Sequence, residues 1–477
     1  MFSLRASWRL ANAVLFASAL LGQDVIQLGG PVPRGAAPER AVPSARGYIV
    51  TFAPGTTKPA RALAAMQAGA QVRHNYDNVD AMAVTLPNDA AVAALRARQG
   101  VLQVTPDYVV RARVKPGAGG GAPLTFNPLQ LISYEVQRVG IPAGGSDGTG
   151  IGVAVLDTGI DFNHPDLNPA PNGAATAFNA ITPGASCQDN GGHGTHVSGL
   201  IAASNNAIGI VGMAPEARLY CVKVLDANLT GTDSNIMAGL DWVLQNRNRV
   251  TPPIRVVNVS LGRPLATGET FSNSPLRPLI QSLYNAGVVV VAAAGNDATL
   301  EVNTVVPAGF PEVISVASTV ATNGIRTCQL FGLDLTSVPA DTASGFTTDG
   351  ADVTTSAPGE ERSDIVLLGS SGCVALLYGT ISTTLNTGGA TRKLVPGLQE
   401  ARGTSFSTSL VTGVVARVIQ KRLVPASGNG AEVEGIRNWI RNNASRRGAA
   451  PLDHPWGGVI FDYSFDGVRE GIAQAPK

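Results

Sequence analysis

Charge is scarce in this chain. Asp, Glu, Lys and Arg make up 14% of its 477 residues and the net charge is +1, against roughly 25% charged residues in ordinary soluble domains. Such a balance offers no basic surface for nucleic acid and no polybasic face for an anionic membrane. Aromatic residues are 5% and histidines only five, so any imidazole chemistry rests on very few side chains. The four cysteines, Cys187, Cys221, Cys328 and Cys373, include no C-x-x-C spacing, which argues against a structural zinc site. In an exported chain they read as two disulfides with three pairings open; we expect Cys187–Cys221 and Cys328–Cys373. Past the N-terminal stretch no apolar run is long enough to span a bilayer, and no membrane anchor is expected. Glycine, in contrast, is abundant at 55 residues, which suits a loop-rich α/β enzyme better than a helical bundle.

Arg5 and Arg9, the apolar run LANAVLFASALL and Ala17-Ser18-Ala19 have the layout of a secretory signal. We place that signal at 1–22 and a Pro-, Gly- and Ala-rich linker at 23–46. A small unit at 47–112 reads β-α-β-α-β. Its strands lie in GYIVTFAPG, AMAVTLP and VLQVTPDYVV, its helices in 57–70 and in DAAVAALRARQG with its acidic start and glycine stop. KPGAGGGAP makes 113–125 a flexible, protease-accessible joint.

From 126 to 477 the pattern changes. IGVAVLD, RLYCVKVLD, IRVVNVSL, GVVVVAAAG and VISVAS are nearly continuous apolar runs, as expected of strands buried on both faces of a parallel sheet. Helical stretches lie between them; in SNIMAGLDWVLQNR, Ile236, Met237, Leu240, Val243 and Leu244 share one face. The fold class is therefore α/β, a doubly wound and mostly parallel sheet preceded by a small α+β domain. Ligand chemistry in such sheets gathers at the carboxyl ends of the strands. Residues around 360–402 form a Gly-, Ser- and Thr-rich insertion.

GGHGTHVSG, 191–199, sets His193 and His196 three positions apart. They are either a pair of metal ligands or include a catalytic base. Elsewhere Asp157 ends the first apolar run of the large unit, and Ser405 sits at a glycine turn opening a long apolar helix. Singly these are a turn residue, a core histidine and a helix cap. Together they are the parts of a nucleophilic site: a hydroxyl, an imidazole to take its proton, and a carboxylate to orient the imidazole. Asn296, in AAAGND, stands where its amide could meet a developing oxyanion, with the Ser405 backbone N–H as second donor.

The motifs DTGIDFNHPDL, GHGTHVSG, NVSLG, AAAGN and GTSFST, in this order, resemble those of the subtilisin-like serine proteases over roughly 126–422. The resemblance implies endopeptidase action through an acyl-enzyme, with Asp157, His193 and Ser405 as the triad and Asn296 in the oxyanion hole. Ser260, Leu261, Gly262 and Gly295 would line the substrate cleft. His193 is then the base and His196 structural; the glutamate of a zinc-protease H-E-x-x-H is absent. The unit at 47–112 resembles a subtilisin propeptide, an intramolecular chaperone and inhibitor, with the mature chain beginning somewhere in 111–127. The partners implied are polypeptide substrates and the chain's own propeptide, with no nucleic acid. The implied protein is a secreted, extracellular monomer.

SNNAIGIVGMAP resembles the family's calcium loop, with Asp166, Asn206, Ile208 and Ile210 as ligands; no catalytic cofactor is implied, and the N-terminal ligand has no counterpart we can place. Ser409 stands where the family usually has proline, Phe406 where it often has methionine, and Arg263 where a small residue is common. Two other readings remain: a non-catalytic binding protein on the same fold, whose sign would be a damaged triad, and a ligase passing the acyl group to an amine.

Overall fold

A computed structural model describes residues 38–114, 130–324, 328–330, 333–335, 338–368, 372–378, 380–384, 397–453 and 467–477. The signal at 1–22, most of the first linker and nearly all of the joint lie outside the described residues.

The first unit comprises β1 (Pro43–Phe52), α1 (Lys58–Gln67), β2 (Gln71–Asn75), β3 (Ala81–Thr85), α2 (Asp89–Arg96) and β4 (Val101–Ala112). Its helices start where the sequence supplies caps: Thr57 accepts from the Ala60 N–H and Asn88 from the Ala91 N–H. The antiparallel sheet runs β4-β1-β3-β2. It has one strand more than the β-α-β-α-β pattern predicts. β2, QVRHN, is an edge strand with no buried residue, so it carries no apolar alternation by which it could be read. Val50, Phe52, Met82, Val84, Leu86 and Leu95 form this unit's own core.

The large unit contains α3 (Tyr134–Val139), β5 (Gly152–Asp157), β6 (Ala177–Asn179), α4 (His193–Ala202), β7 (Arg218–Lys223), β8 (Thr230–Thr232), α5 (Asp233–Asn246), β9 (Ile254–Val259) and β10 (Leu261–Pro264). There follow α6 (Arg277–Asn285), β11 (Val289–Ala293), β12 (Val305–Val306), β13 (Val313–Val320), β14 (Cys328–Leu330), β15 (Leu333–Leu335) and β16 (Thr355–Glu360). The chain closes with β17 (Arg362–Leu368), β18 (Gly372–Tyr378), β19 (Thr380–Thr384), β20 (Gly397–Ala401), α7 (Thr404–Gln420) and α8 (Gly430–Asn443).

The main sheet is parallel throughout, in the order β16-β13-β11-β9-β5-β7-β6. Its strands read as continuous apolar runs because both faces are covered. Ile236, Leu240, Leu279 and Leu283 of α5 and α6 belong to the core on one face. Val197, Leu200, Leu410 and Val414 of α4 and α7 belong to the core on the other. The doubly wound α/β reading holds. α5 departs from a simple amphipathic helix, since its polar face is buried as well. The first unit covers it: Asp107 accepts from the N–H and hydroxyl of Ser234, and Asp241 accepts from the N–H groups of Asp77 and Asn78.

The stretch around 360–402 runs as two antiparallel hairpins, β17–β18 and β19–β20. At the C-terminus, the Ser356 N–H donates to the Gly471 carbonyl and the Ala473 N–H to the Ser356 carbonyl, which lays the tail along β16. No helix among the described residues is long and apolar enough to cross a membrane.

Cys187 and Cys221 are disulfide-bonded, closing a separation of 34 residues between the loop before α4 and strand β7. Loop closure of that length is worth about 4 kcal/mol. Replacing both cysteines with alanine is expected to lower stability by about that amount, read as a shift in the urea midpoint. Cys328 and Cys373 lie on β14 and β18, whose side chains are outside the described set.

Candidate active site

Asp157 is the last residue of β5 and His193 the first of α4. Both are buried, and His193 Nδ1 lies 2.8 and 2.9 Å from the two oxygens of Asp157. This close approach depends on Gly194: a Cβ there would meet the Gly159 carbonyl oxygen at 2.1 Å and Asp157 Cβ at 3.1 Å.

The pair is held by Asp189, a residue that no motif reading singled out. Asp189 Oδ1 accepts from the Thr158 hydroxyl and from the N–H groups of Gly191 and Gly192; Oδ2 accepts from the N–H and hydroxyl of Thr195. One carboxylate thus fixes the loops on both sides of the Asp157–His193 contact.

His196 is buried against the Phe406 ring at 4.5 Å between centroids. Burial, and after it the charge of His193, push its pKa down to about 3. It is a neutral core residue, and among the described residues no group of three or more His, Cys, Asp or Glu is placed to hold a metal. Phe406 also touches His193, at 5.6 Å.

Ser405 is the second residue of α7, after the turn at Gly403. Its hydroxyl donates to the Ser260 carbonyl at 2.9 Å, and His193 Nε2 has no hydrogen-bond partner. The structure therefore brings Asp157 and His193 into contact but holds the Ser405 hydroxyl in a rotamer turned to Ser260. Ser409 donates its hydroxyl to the Ser405 carbonyl, which also accepts from Ser260 Oγ. With serine in place of proline, α7 runs unbroken from Thr404 to Gln420. Asn296 Oδ1 accepts from the N–H and hydroxyl of Thr404, at 3.0 and 2.9 Å. These bonds orient the amide and leave Nδ2 buried and unpaired. Gly295, at φ 136°, is pinned by Thr348, whose Oγ1 a Cβ would meet at 2.4 Å.

The end of β4 runs through this site as an added strand. It pairs antiparallel with β8 on one side (Val109↔Thr232, Val110↔Gly231, Arg111↔Thr230) and with β10 on the other (Leu261↔Ala112, Gly262↔Arg111). Arg113 then donates its N–H to the Ser260 carbonyl at 3.0 Å and accepts from the Ser405 N–H at 3.2 Å. Gly403 makes room for it: a Cβ at that position would meet the Arg113 carbonyl oxygen at 2.2 Å and Val114 Cα at 3.0 Å. The Arg113 side chain is buried alongside Gly262. Arg263, next along β10, is buried and forked onto Asp233 and Glu269, with its guanidinium 4.7 Å from the Tyr108 ring of the added strand. Burial pushes Asp233 up to about 6 despite Arg263 beside it.

A second cluster lies at the loop after α4. Gln130 Nε2 donates to the carbonyls of Ser204, Ile208 and Ile210 at 2.6, 3.0 and 3.1 Å. Asp166 accepts from the Ile210 N–H through Oδ2, while its Oδ1 is buried without a partner. Burial raises its pKa to about 7. Gly209 is required here, since a Cβ would meet Asp166 Oδ2 at 2.1 Å. Asn206 turns its Oδ1 onto the Ile208 N–H. Converging carbonyls and an orphaned carboxylate oxygen form an all-oxygen donor set that fits a hard cation such as calcium. Gln130, N-terminal to α3, is a side chain at this loop that the sequence reading did not name.

Residues 148–458 match the family model described as the subtilase family, which extends beyond the motif-bearing stretch at its C-terminal end. Subtilisin NAT from Bacillus subtilis subsp. natto is 34% identical over 272 residues, covering 56% of this chain and 63% of its own length. The chain thus spans less than two thirds of that relative. Subtilisin Savinase from Lederbergia lenta is 33% identical over 327 residues, 68% of this chain and 95% of the relative. The solved structure of fervidolysin from Fervidobacterium pennivorans, titled a keratinolytic enzyme related to subtilisin, superposes with a TM-score of 0.60 at 20% identity, over 95% of this chain and 64% of that one. At that identity the likeness speaks for the fold alone.

Proposed function

The chain belongs to the subtilase family, and on that premise we propose that it is a secreted serine endopeptidase made as a self-processing zymogen. The observation that carries the reading is the Arg113 carbonyl on the Ser405 N–H, delivered by a strand paired on both edges. That is how an extended peptide substrate would lie, by strand addition. The apolar run at the N-terminus and the Cys187–Cys221 disulfide support export to an oxidising compartment.

In this mechanism the Ser405 hydroxyl swings from the Ser260 carbonyl toward His193 Nε2. Its proton passes to Nε2 as Oγ bonds to the carbonyl carbon. Asp157 holds the imidazole tautomer and offsets the imidazolium charge. The oxyanion is met by the Ser405 N–H and Asn296 Nδ2. The peptide C–N bond then breaks, His193 protonates the leaving amine, and an ester to Ser405 remains. Water, deprotonated by His193, attacks that ester and releases the new carboxylate and the free serine.

Applied to the chain itself, the bond cut is Arg113–Val114. The unit ending at Arg113 then stays in the cleft as a product-like inhibitor. Calcium would be held by Asp166, the carbonyls of Ser204, Ile208 and Ile210, and Gln130 with its amide turned over; its contribution is structural.

Intact-mass analysis of the purified chain tests the reading: one fragment should end at Arg113 and the other begin at Val114. Asn296→Ala should lower kcat on a peptide substrate by about 10²–10³ with KM little changed. Retention of full kcat would remove Asn296 from the oxyanion site.

A further inference from the structure

The Arg113 guanidinium is buried at 5% exposure, and a charge in that position needs a counter-ion. The partner comes from an unexpected place. Arg113 Nη1 lies 2.6 Å from Glu39 Oε2, while its Nε and Nη2 have no hydrogen-bond partner. Glu39 precedes β1, on the same side of the proposed cut as the strand that carries Arg113. Its position is fixed at both ends. The Glu39 N–H donates to Asp297 Oδ2 at 2.8 Å, next to Asn296. Three residues on, the Val42 carbonyl accepts from the Val109 N–H at 2.8 Å, and Pro43 stands opposite Tyr108. The segment from 39 to 43 therefore runs as a strap along the added strand, with Glu39 lying against the Arg113 side chain.

We infer that Glu39 is a specificity-determining residue for self-cleavage, supplying from the acyl fragment itself the carboxylate that seats Arg113 in the pocket. The pocket that cuts Arg113–Val114 is thus completed in cis, by a group that belongs to the N-terminal product. The inference rests on the assignment of that bond under the proposed function. Its role is to position: Glu39 touches the Arg113 side chain, and through it holds the carbonyl on the Ser405 N–H.

The test measures the rate of Arg113–Val114 cleavage in the full-length chain after refolding, by intact mass, for wild type, Glu39→Gln, Arg113→Leu and the double variant. Glu39→Gln should slow cleavage about 10- to 100-fold, less than the loss of a fully buried ion-pair partner because Glu39 itself is 29% exposed. In the Arg113→Leu background the same change should alter the rate less than about twofold, since no charge remains to be paired. Glu39→Asp, which keeps the charge on a shorter arm, should fall between. Melting of each variant in a Ser405→Ala background separates misfolding from slow chemistry. Equal rates for wild type and Glu39→Gln, or equal slowing in both backgrounds, would overturn the inference while leaving the cleavage bond standing. If wild type is not cut at Arg113–Val114 at all, both readings fall.

Discussion

Ser405→Ala should leave the full-length chain uncut at Arg113–Val114 and lower peptide hydrolysis on the order of 10⁶-fold, the loss that follows removal of a triad nucleophile. His193→Ala should cost about as much, and the double variant little more, because the two groups act on one proton. The structure makes the non-additivity specific. The Ser405 hydroxyl now rests on the Ser260 carbonyl, and His193 Nε2 is unpartnered. Without the imidazole that rotamer has nowhere productive to go; without the hydroxyl the imidazole has no proton to take. Because an uncut chain keeps its cleft filled, the two effects must be read separately. Intact mass reports the first, and turnover after an added protease has degraded the first unit reports the second. A Ser405→Ala chain that is still cut after Arg113 would mean that another peptidase does the processing.

The parallel sheet was readable because both its faces are covered, so β5, β9, β11 and β13 are nearly continuous apolar runs. The site motifs were readable for a steric reason. Gly194 lets His193 approach Asp157, and Gly403 lets a peptide carbonyl reach Ser405, so glycines mark the reactive residues in the sequence itself. What escaped is polar and distant. Asp189 bonds Thr158 across 31 residues, Gln130 reaches Ile208 across 78, and Glu39 meets Arg113 across 74. No periodicity records such contacts. Arg263 looked like a misfit after Gly262, but Asp233, 30 residues before it, and Glu269, 6 after, complete its pairing. β2 escaped for the opposite reason, having no buried residue to give it a pattern.

Chelation of calcium is expected to destabilise the processed enzyme by about 4 kcal/mol relative to calcium at a thousandfold excess over its Kd. The loop explains why the effect should be large. Asp166 Oδ1 is buried with no donor, and the carbonyls of Ser204, Ile208 and Ile210 converge on one side-chain amide. Without a cation the carboxylate stands against its own desolvation, which is what raises its pKa to about 7. A bound divalent ion would offset that cost, held by the carbonyls of Ser204, Ile208 and Ile210 and the carboxylate of Asp166. The loop follows directly from α4, whose first residue is His193. Loosening it should therefore lower activity at elevated temperature before the whole chain unfolds. The measurement is the melting temperature with calcium chloride and with chelator, for wild type and Asp166→Asn. Wild type should lose several degrees on chelation. Asp166→Asn should respond weakly, because it removes the one charged ligand while leaving every carbonyl in place. Gln130→Ala should weaken calcium affinity without abolishing the response, since it deletes a neutral donor. An unchanged wild-type melting temperature, or an equal shift in Asp166→Asn, would reduce the cluster to a turn held by Gln130 alone.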